Sequence, residues 1–265
     1  MDLGHAGARV VVTGAGANIG RGIAHAFARE GARVAVVDID SAQAEQVADE
    51  VRGLGAPDTA AVSLDLTSEG AGERVAAVAE QAWGGIDVLV NNAGWSRPGW
   101  FTDQTDRELW RRTVDLNLLA AVDCSQAALR LMKRAEHGAI AFLSSDAAFG
   151  AIRQGIYGST KAGLISLART IARENGRFGV RSNVVAPGLV TPPEDTSVGE
   201  HSVWAGGPGS LFTSDQVESV LKTQALRRPT TADDIANAVV WITSPTAARQ
   251  VTGQVVAVGG GSSMP

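Results

Sequence analysis

Cysteine is nearly absent from this chain. Cys124 is the only one among 265 residues, which excludes an intrachain disulfide and a cysteine-rich zinc site. The four histidines, His5, His25, His137 and His201, show no ligand spacing, so no catalytic metal is expected. Basic charge is not in excess either. A formal net charge of −5 leaves no basic stripe to neutralise phosphates, which argues against nucleic acid as the main partner. No uninterrupted apolar run reaches the roughly 18 residues that a membrane helix needs. The opening MDLGHAGARVVVTG places an acid at position 2 and a glycine-rich turn straight after its apolar run, unlike a signal peptide. No G-x-S-x-G segment or suitably placed histidine supports a Ser-His-Asp hydrolase. These exclusions leave a globular protein, expected to be cytoplasmic.

What the chain does have is apolar content and a regular rhythm. Hydrophobic residues make up 45% and charged residues 19%, enough to bury a sizeable core. Arg9 to Thr13 is a short β-branched run, followed by glycines and then by Ile23–Ala24, Phe27–Ala28 and Gly31 at helical spacing. Arg33 to Val37 is a second such run, so strand, turn, helix and strand follow in order, as in a βαβ unit. Further strands are expected at 60–64, 86–90, 139–143, 180–185 and 255–258. Helices are expected at 73–83, 106–132 (one, or two with a break), 157–174, near 215–223 and at 233–242. Apolar strands separated by helices imply one doubly wound parallel α/β sheet of seven strands with helices on both faces. No linker or repeat divides residues 1–265, so a single domain is expected. The irregular stretch from Thr191 to about Gly209, rich in Pro, Gly and Ser, suggests a substrate lid over about 191–225.

In such a sheet the ligand lies beyond the carboxyl ends of the strands, where strand order reverses. The first turn, Thr13-Gly14-Ala15-Gly16-Ala17-Asn18-Ile19-Gly20, is small enough to let backbone approach a pyrophosphate at a helix N-terminus. A plain tight turn would use the same residues. Asp38, ending the second strand, could accept both hydroxyls of an adenosine ribose. It would also repel a 2′-phosphate, because like charges about 4 Å apart at an effective dielectric of about 20 cost roughly 4 kcal/mol. NAD is therefore expected over NADP. Ala17 supplies no compensating cation, although Arg21 and Arg33 lie near in sequence.

Tyr157 and Lys161 stand four apart at the start of an apolar helix and share one face. A cation at that spacing can lower a phenol's pKa, and moving it from about 10 to about 7 takes roughly 4 kcal/mol. The same pair would also suit an ordinary helix with a snorkelling lysine. Ser144 and Ser145 end a strand and face the same crevice, where a hydroxyl can hold a substrate oxygen. Asn117 is an amide in an apolar helical stretch and must find partners, whether structural or functional.

Taken together, these segments resemble the short-chain dehydrogenase/reductases over nearly the whole chain. The carrying residues are 13–20, Asp65-Leu66, 91–94 (Asn-Asn-Ala-Gly), Asn117, Ser145, Tyr157 to Lys161, and Asn183 with Pro187-Gly188. The resemblance implies a Rossmann-type domain, nicotinamide-dependent hydride transfer and a homodimer or homotetramer. It implies Tyr157 as general acid/base, Lys161 lowering its pKa and holding a ribose, Ser145 orienting the reacting oxygen, and Asn117 holding a water. It implies contacts to NAD from Gly14, Asn18, Ile19, Gly20, Asp38, Asp65, Leu66, Asn92, Ala93, Gly94, Pro187, Gly188 and Val190, besides Tyr157 and Lys161. Three positions depart from the family pattern. Asn18 replaces a glycine, though asparagine tolerates positive φ. The family's serine-to-tyrosine spacing of 13 would point to Ser144, whereas the strand-end pattern I-x-x-L-S-S points to Ser145, with one residue missing from the following loop. Thr191 follows Pro187-Gly188 one residue early.

Trp95, Trp100, Phe149 and Trp204 fall in loops around the expected pocket. Trp95, Phe149 and Trp204 are the expected substrate contacts, and they suggest a largely apolar, even cyclic, alcohol or ketone. Packing of the lid would use aromatics equally well. Arg97 and Arg153 lie in the same loops, where they could hold a carboxylate or phosphate or simply be solvated. The expected activity is NAD-dependent interconversion of a secondary alcohol and a ketone. The alternatives are an NADPH-dependent 3-ketoacyl-thioester reductase and a dinucleotide-binding regulator without turnover.

Overall fold

The computed structural model of the chain describes residues 2–191 and 214–264. Seven strands form one sheet: β1 (Arg9–Thr13), β2 (Arg33–Asp38), β3 (Thr59–Ser63), β4 (Val88–Asn91), β5 (Gly138–Leu143), β6 (Val180–Pro187) and β7 (Val255–Val258). Their order is β3-β2-β1-β4-β5-β6-β7 and every pairing is parallel. The direction of winding reverses between β1 and β4, which opens a crevice at the carboxyl edge there.

Period-two alternation explains the two cores. Val10 and Val12 point to one face, where they pack with Ile23 and Phe27 of α1 (Asn18–Arg29) and Ile235 and Val239 of α8 (Ala232–Thr243). Val11 points to the other, with Val75 of α3 (Ala71–Trp83), Leu131 of α5 (Ala120–Ala135) and Leu164 of α6 (Gly155–Asn175). All three valines have no exposed surface. Both faces of the sheet are thus covered, as the near-continuous apolar strands require.

One element was not expected, and another takes the second of its two expected forms. The chain forms a helix α2 (Ser41–Gly53) that its sparse apolar pattern did not announce; Asp40 caps it by accepting from the Gln43 N–H. The expected helix over 106–132 is interrupted. It runs as α4 (Arg107–Val114), one π-helical turn over Asp115–Leu119, and α5. The helix α7 (Ser214–Thr223) falls where one was expected. Most of the expected lid, and Trp204 within it, lie outside the described residues. Among the described residues no helix is long and apolar enough to cross a membrane.

Candidate active site

The first turn is built by contacts that cross from β1 to β4. The buried Thr13 hydroxyl donates to the Val90 carbonyl and accepts from the N–H groups of Asn92 and Ala93. Asn92 Nδ2 donates in return to the carbonyls of Thr13 (2.9 Å) and Gly14 (2.8 Å). Glycine at position 20 is obligatory, since a Cβ there would sit 2.0 Å from the Gly14 carbonyl oxygen. Asn18 takes φ +41°, the left-handed value that its glycine-like position demands.

This turn fits a dinucleotide pyrophosphate. Ala17, which precedes α1, makes no side-chain cap, and the helix has no acid in its first turn. Its leading N–H groups and positive dipole end therefore face the crevice without a competing anion. Asn18 Oδ1, an acceptor, is also buried with no partner among the described residues, so it calls for a donor and not for the phosphates.

Asp38 stands on the same rim. Its carboxylate accepts from the N–H groups of Gly16 (2.8 Å) and Asp40 (3.1 Å), which fix its direction. The two nearby cations are accounted for elsewhere. Arg21 is committed to Glu50 through two hydrogen bonds. Arg33 begins β2, about 16 Å of extended strand from Asp38. Asp65 is held below the usual carboxylate range by hydrogen bonds from Thr67, and Leu66 beside it is buried.

These elements wall a cleft of about 950 Å³ along the carboxyl edge of the sheet. Every position that the family resemblance assigns to the coenzyme lies on its wall, from Gly14 through Asp38, Gly94 and Lys161 to Val190. So do Ser145 and Trp95.

Tyr157 and Lys161 project from the first turns of α6 into the cleft, with the Lys161 Nζ 5.6 Å from the Tyr157 ring centre. Lys161 is only 3% exposed; its ammonium donates to the Leu143 carbonyl at 2.8 Å, and burial lowers its pKa to about 8. Gly94 makes room for this packing. A Cβ on it would lie 2.7 Å from Asn117 Oδ1 and 3.1 Å from Lys161 Nζ.

The two serines separate cleanly. Ser144 is buried and its hydroxyl donates to the Lys161 carbonyl, tying the end of β5 to α6. Ser145 reaches the Tyr157 phenol with its side chain and also contacts Asp146 Oδ1 at 3.2 Å. The phenol itself is not acidic in the free protein, contrary to the expectation from its spacing with Lys161. Burial pushes it up to about 12, Ser145 opposes that, and the Asp146 carboxylate adds to it. Lys161 does not offset this because its own charge is weakened by burial and directed at Leu143.

Asn117 finds backbone partners, one of the two outcomes its burial allowed. Its Oδ1 accepts from the Trp95 N–H, and its Nδ2 donates to the carbonyls of Trp95 and Thr113. The amide is thus spent on the loop after β4, and it sits in the π turn that interrupts the long helix. On the substrate side, Trp95 lies under the Arg112 guanidinium, 5.2 Å from its ring centre. Phe149 is 42% exposed at the end of a 3-10 turn and is not on the cleft wall; Ala151 and Ile152 stand there instead. Asp146 was not anticipated. Burial raises its pKa, and its second oxygen contacts the Ser262 hydroxyl at 3.3 Å. Its position directly after the serine pair was the available signal.

Residues 14–263 match the family model described as enoyl-(acyl carrier protein) reductase. The chain is 37% identical to an L-rhamnose 1-dehydrogenase (NAD(P)(+)) of Azotobacter vinelandii, over 95% of both chains. It is 34% identical to a 3-oxoacyl-(acyl-carrier-protein) reductase of Staphylococcus aureus, over 96% of this chain and 97% of that one. Among solved structures, a 7α-hydroxysteroid dehydrogenase complexed with NADH and 7-oxo glycochenodeoxycholic acid superposes with a TM-score of 0.88. It is 34% identical, over 98% of this chain and 96% of the other.

Proposed function

The chain belongs to the short-chain dehydrogenase/reductase family, and on that footing we propose that it interconverts a secondary alcohol and a ketone with NAD, using Tyr157 as general acid/base. Membership makes it an oxidoreductase acting on CH–OH groups with a nicotinamide dinucleotide. The observation that carries the finer reading is the meeting of Ser145, Tyr157 and Lys161 on one cleft wall beside the switch point. A nicotinamide coenzyme held by the Gly14–Gly20 turn, Asp38 and Lys161 would supply the hydride acceptor or donor.

The chain's own groups do the rest. Ser145 holds the reacting oxygen beside the Tyr157 hydroxyl. Tyr157 takes the alcohol proton as hydride leaves, and gives it back in reduction. Lys161, buried beside the phenol with its pKa lowered to about 8, favours the phenolate during transfer while it is protonated. Asn117 fixes the Trp95 loop that closes the site from the other side.

Asp38 supports NAD. Its fixed carboxylate suits two ribose hydroxyls and opposes a 2′-phosphate, with Arg21 and Arg33 both engaged or distant. A second reading is NADPH-dependent reduction of a 3-ketoacyl thioester, favoured by the family model's description and the Staphylococcus relative. The ratio of kcat/KM for the two coenzymes decides between them. At least tenfold in favour of NAD is expected, and a preference for NADPH would overturn the NAD assignment. Tyr157→Phe is expected to lower kcat by about 10²–10⁴. Full retention of kcat would remove Tyr157 from the chemistry.

A further inference from the structure

A second, smaller recess adjoins the cleft. It has a volume of about 10 Å³, room for about one water-sized group, so one oxygen of an anionic headgroup can enter it while the rest stays in the open space where the exposed Arg97 and Arg153 stand. Tyr157 and Gln154 line both spaces, so the recess meets the cleft where the reacting oxygen is placed. Arg97 and Arg153 line it too, together with Gln104, and no acidic side chain does so among the described residues.

The two arginines come from separate loops that are fastened together. The Gly99 N–H donates to the Arg153 carbonyl at 2.9 Å, and Gln104 Nε2 donates to the Arg97 carbonyl at 2.8 Å. Ser96 donates to Gln154 Oε1 at 2.7 Å, which is the second tie between the loops, the Gln104 bond lying within the first of them. Neither guanidinium has an acidic partner among the described residues. By contrast Arg9, Arg21, Arg52, Arg111, Arg130 and Arg134 all do. Arg153 also holds φ +65°, a backbone state that non-glycine residues rarely adopt and that tends to persist where it serves a site. The acids on the neighbouring cleft wall, Glu108, Asp115 and Asp146 among them, line the cleft and not the recess.

We propose that Arg97 and Arg153 form an oxyanion subsite, and that the substrate is a secondary alcohol carrying a carboxylate or phosphate a few bonds from the reacting carbon. This rests on the reading that Tyr157 meets the reacting oxygen. The apolar part of the cleft wall then takes the remainder of the molecule, and the place of the two arginines sets which way round it lies.

The test has a binding arm and a turnover arm, both at low ionic strength. Propionate and inorganic phosphate are titrated by calorimetry into the protein saturated with whichever of NADH and NADPH binds tighter. At least one anion is expected to bind. Its affinity should fall at least tenfold in Arg97→Gln and in Arg153→Gly, which keeps the left-handed backbone, and recover in Arg153→Lys. No binding of either anion, or equal binding across the variants, overturns the subsite; the anion that binds identifies the headgroup. For turnover, 3-hydroxy acids are compared with their methyl esters, and hydroxyalkyl phosphates with the parent diols. The charged member is expected to have at least tenfold higher kcat/KM, with the ratio collapsing in both variants. Equal oxidation of charged and neutral members removes the subsite and leaves the alcohol–ketone reading intact. Arginine-dependent anion binding with no oxidation of any member leaves the subsite and removes that reading.

Discussion

Burial moves the phenol and the ammonium of α6 in opposite directions, each toward its neutral form. Tyr157 goes up to about 12 and Lys161 down to about 8. Alcohol oxidation needs the phenolate, so kcat/KM for oxidation is expected to rise with pH. Asp146 contributes to the upward push on Tyr157. Asp146→Asn is therefore expected to move the acid limb of that profile to lower pH, by about half to one unit. A limb that stays in place would mean that Asp146 is already neutral, since burial raises its own pKa. At this scale the sequence was informative about residue types and poor about orientation. Ser144 and Ser145 are indistinguishable by type, and spacing favoured the wrong neighbour for the phenol. Only the fold sends one hydroxyl to the Lys161 carbonyl and the other to Tyr157. Likewise, a four-residue spacing states that two groups share a face but not how much solvent either has lost.

Elements made of β-branched runs were legible because parallel strands buried on both faces have little room for polar residues. The Asp38 rim and the glycine turn were legible because backbone sterics restrict the choices there. α2 was not, since its buried side is only Ala44, Val47, Ala48 and Val51, a weak apolar signal. The π turn was not, because one extra residue per turn leaves no mark in a pattern of period 3.6. That turn has a function in the architecture: it places Asn117 against both backbone groups of Trp95. Asn117→Leu keeps the branched outline, though it is larger, and leaves the Trp95 N–H and carbonyl without these partners. A loss of about 1–3 kcal/mol in chemical denaturation is expected, with a raised KM because Trp95 lines the cleft. Unchanged stability would mean that the loop holds itself.

Across the whole molecule the cleft runs along the carboxyl ends of β1 to β6, from the Gly14 turn and Asp38 at one end to Ser145, Tyr157 and Lys161 at the other. Some apolar surface remains outside it: Leu119 on the π turn is 47% exposed and Trp241 on α8 is 38% exposed. These are single residues and not a patch, so the expectation of a dimer or tetramer rests on the family resemblance. Sedimentation should give an assembly that dissociates on dilution or not at all. A monomer at every concentration would contradict this.

All six strand pairings are parallel, so the sheet contains no hairpin that could form from adjacent residues. β1 finds β4 only after β2 and β3 have been synthesised, and such long-range pairings make for slow folding with exposed edges. A nascent chain can complete β1 to β3 first, yet Thr13 then has no Val90 carbonyl to bind and the glycine turn lacks its brace from Asn92. The coenzyme crevice is therefore unfinished until the second half docks. Added dinucleotide can trap the finished fold but cannot serve as a template for the early one.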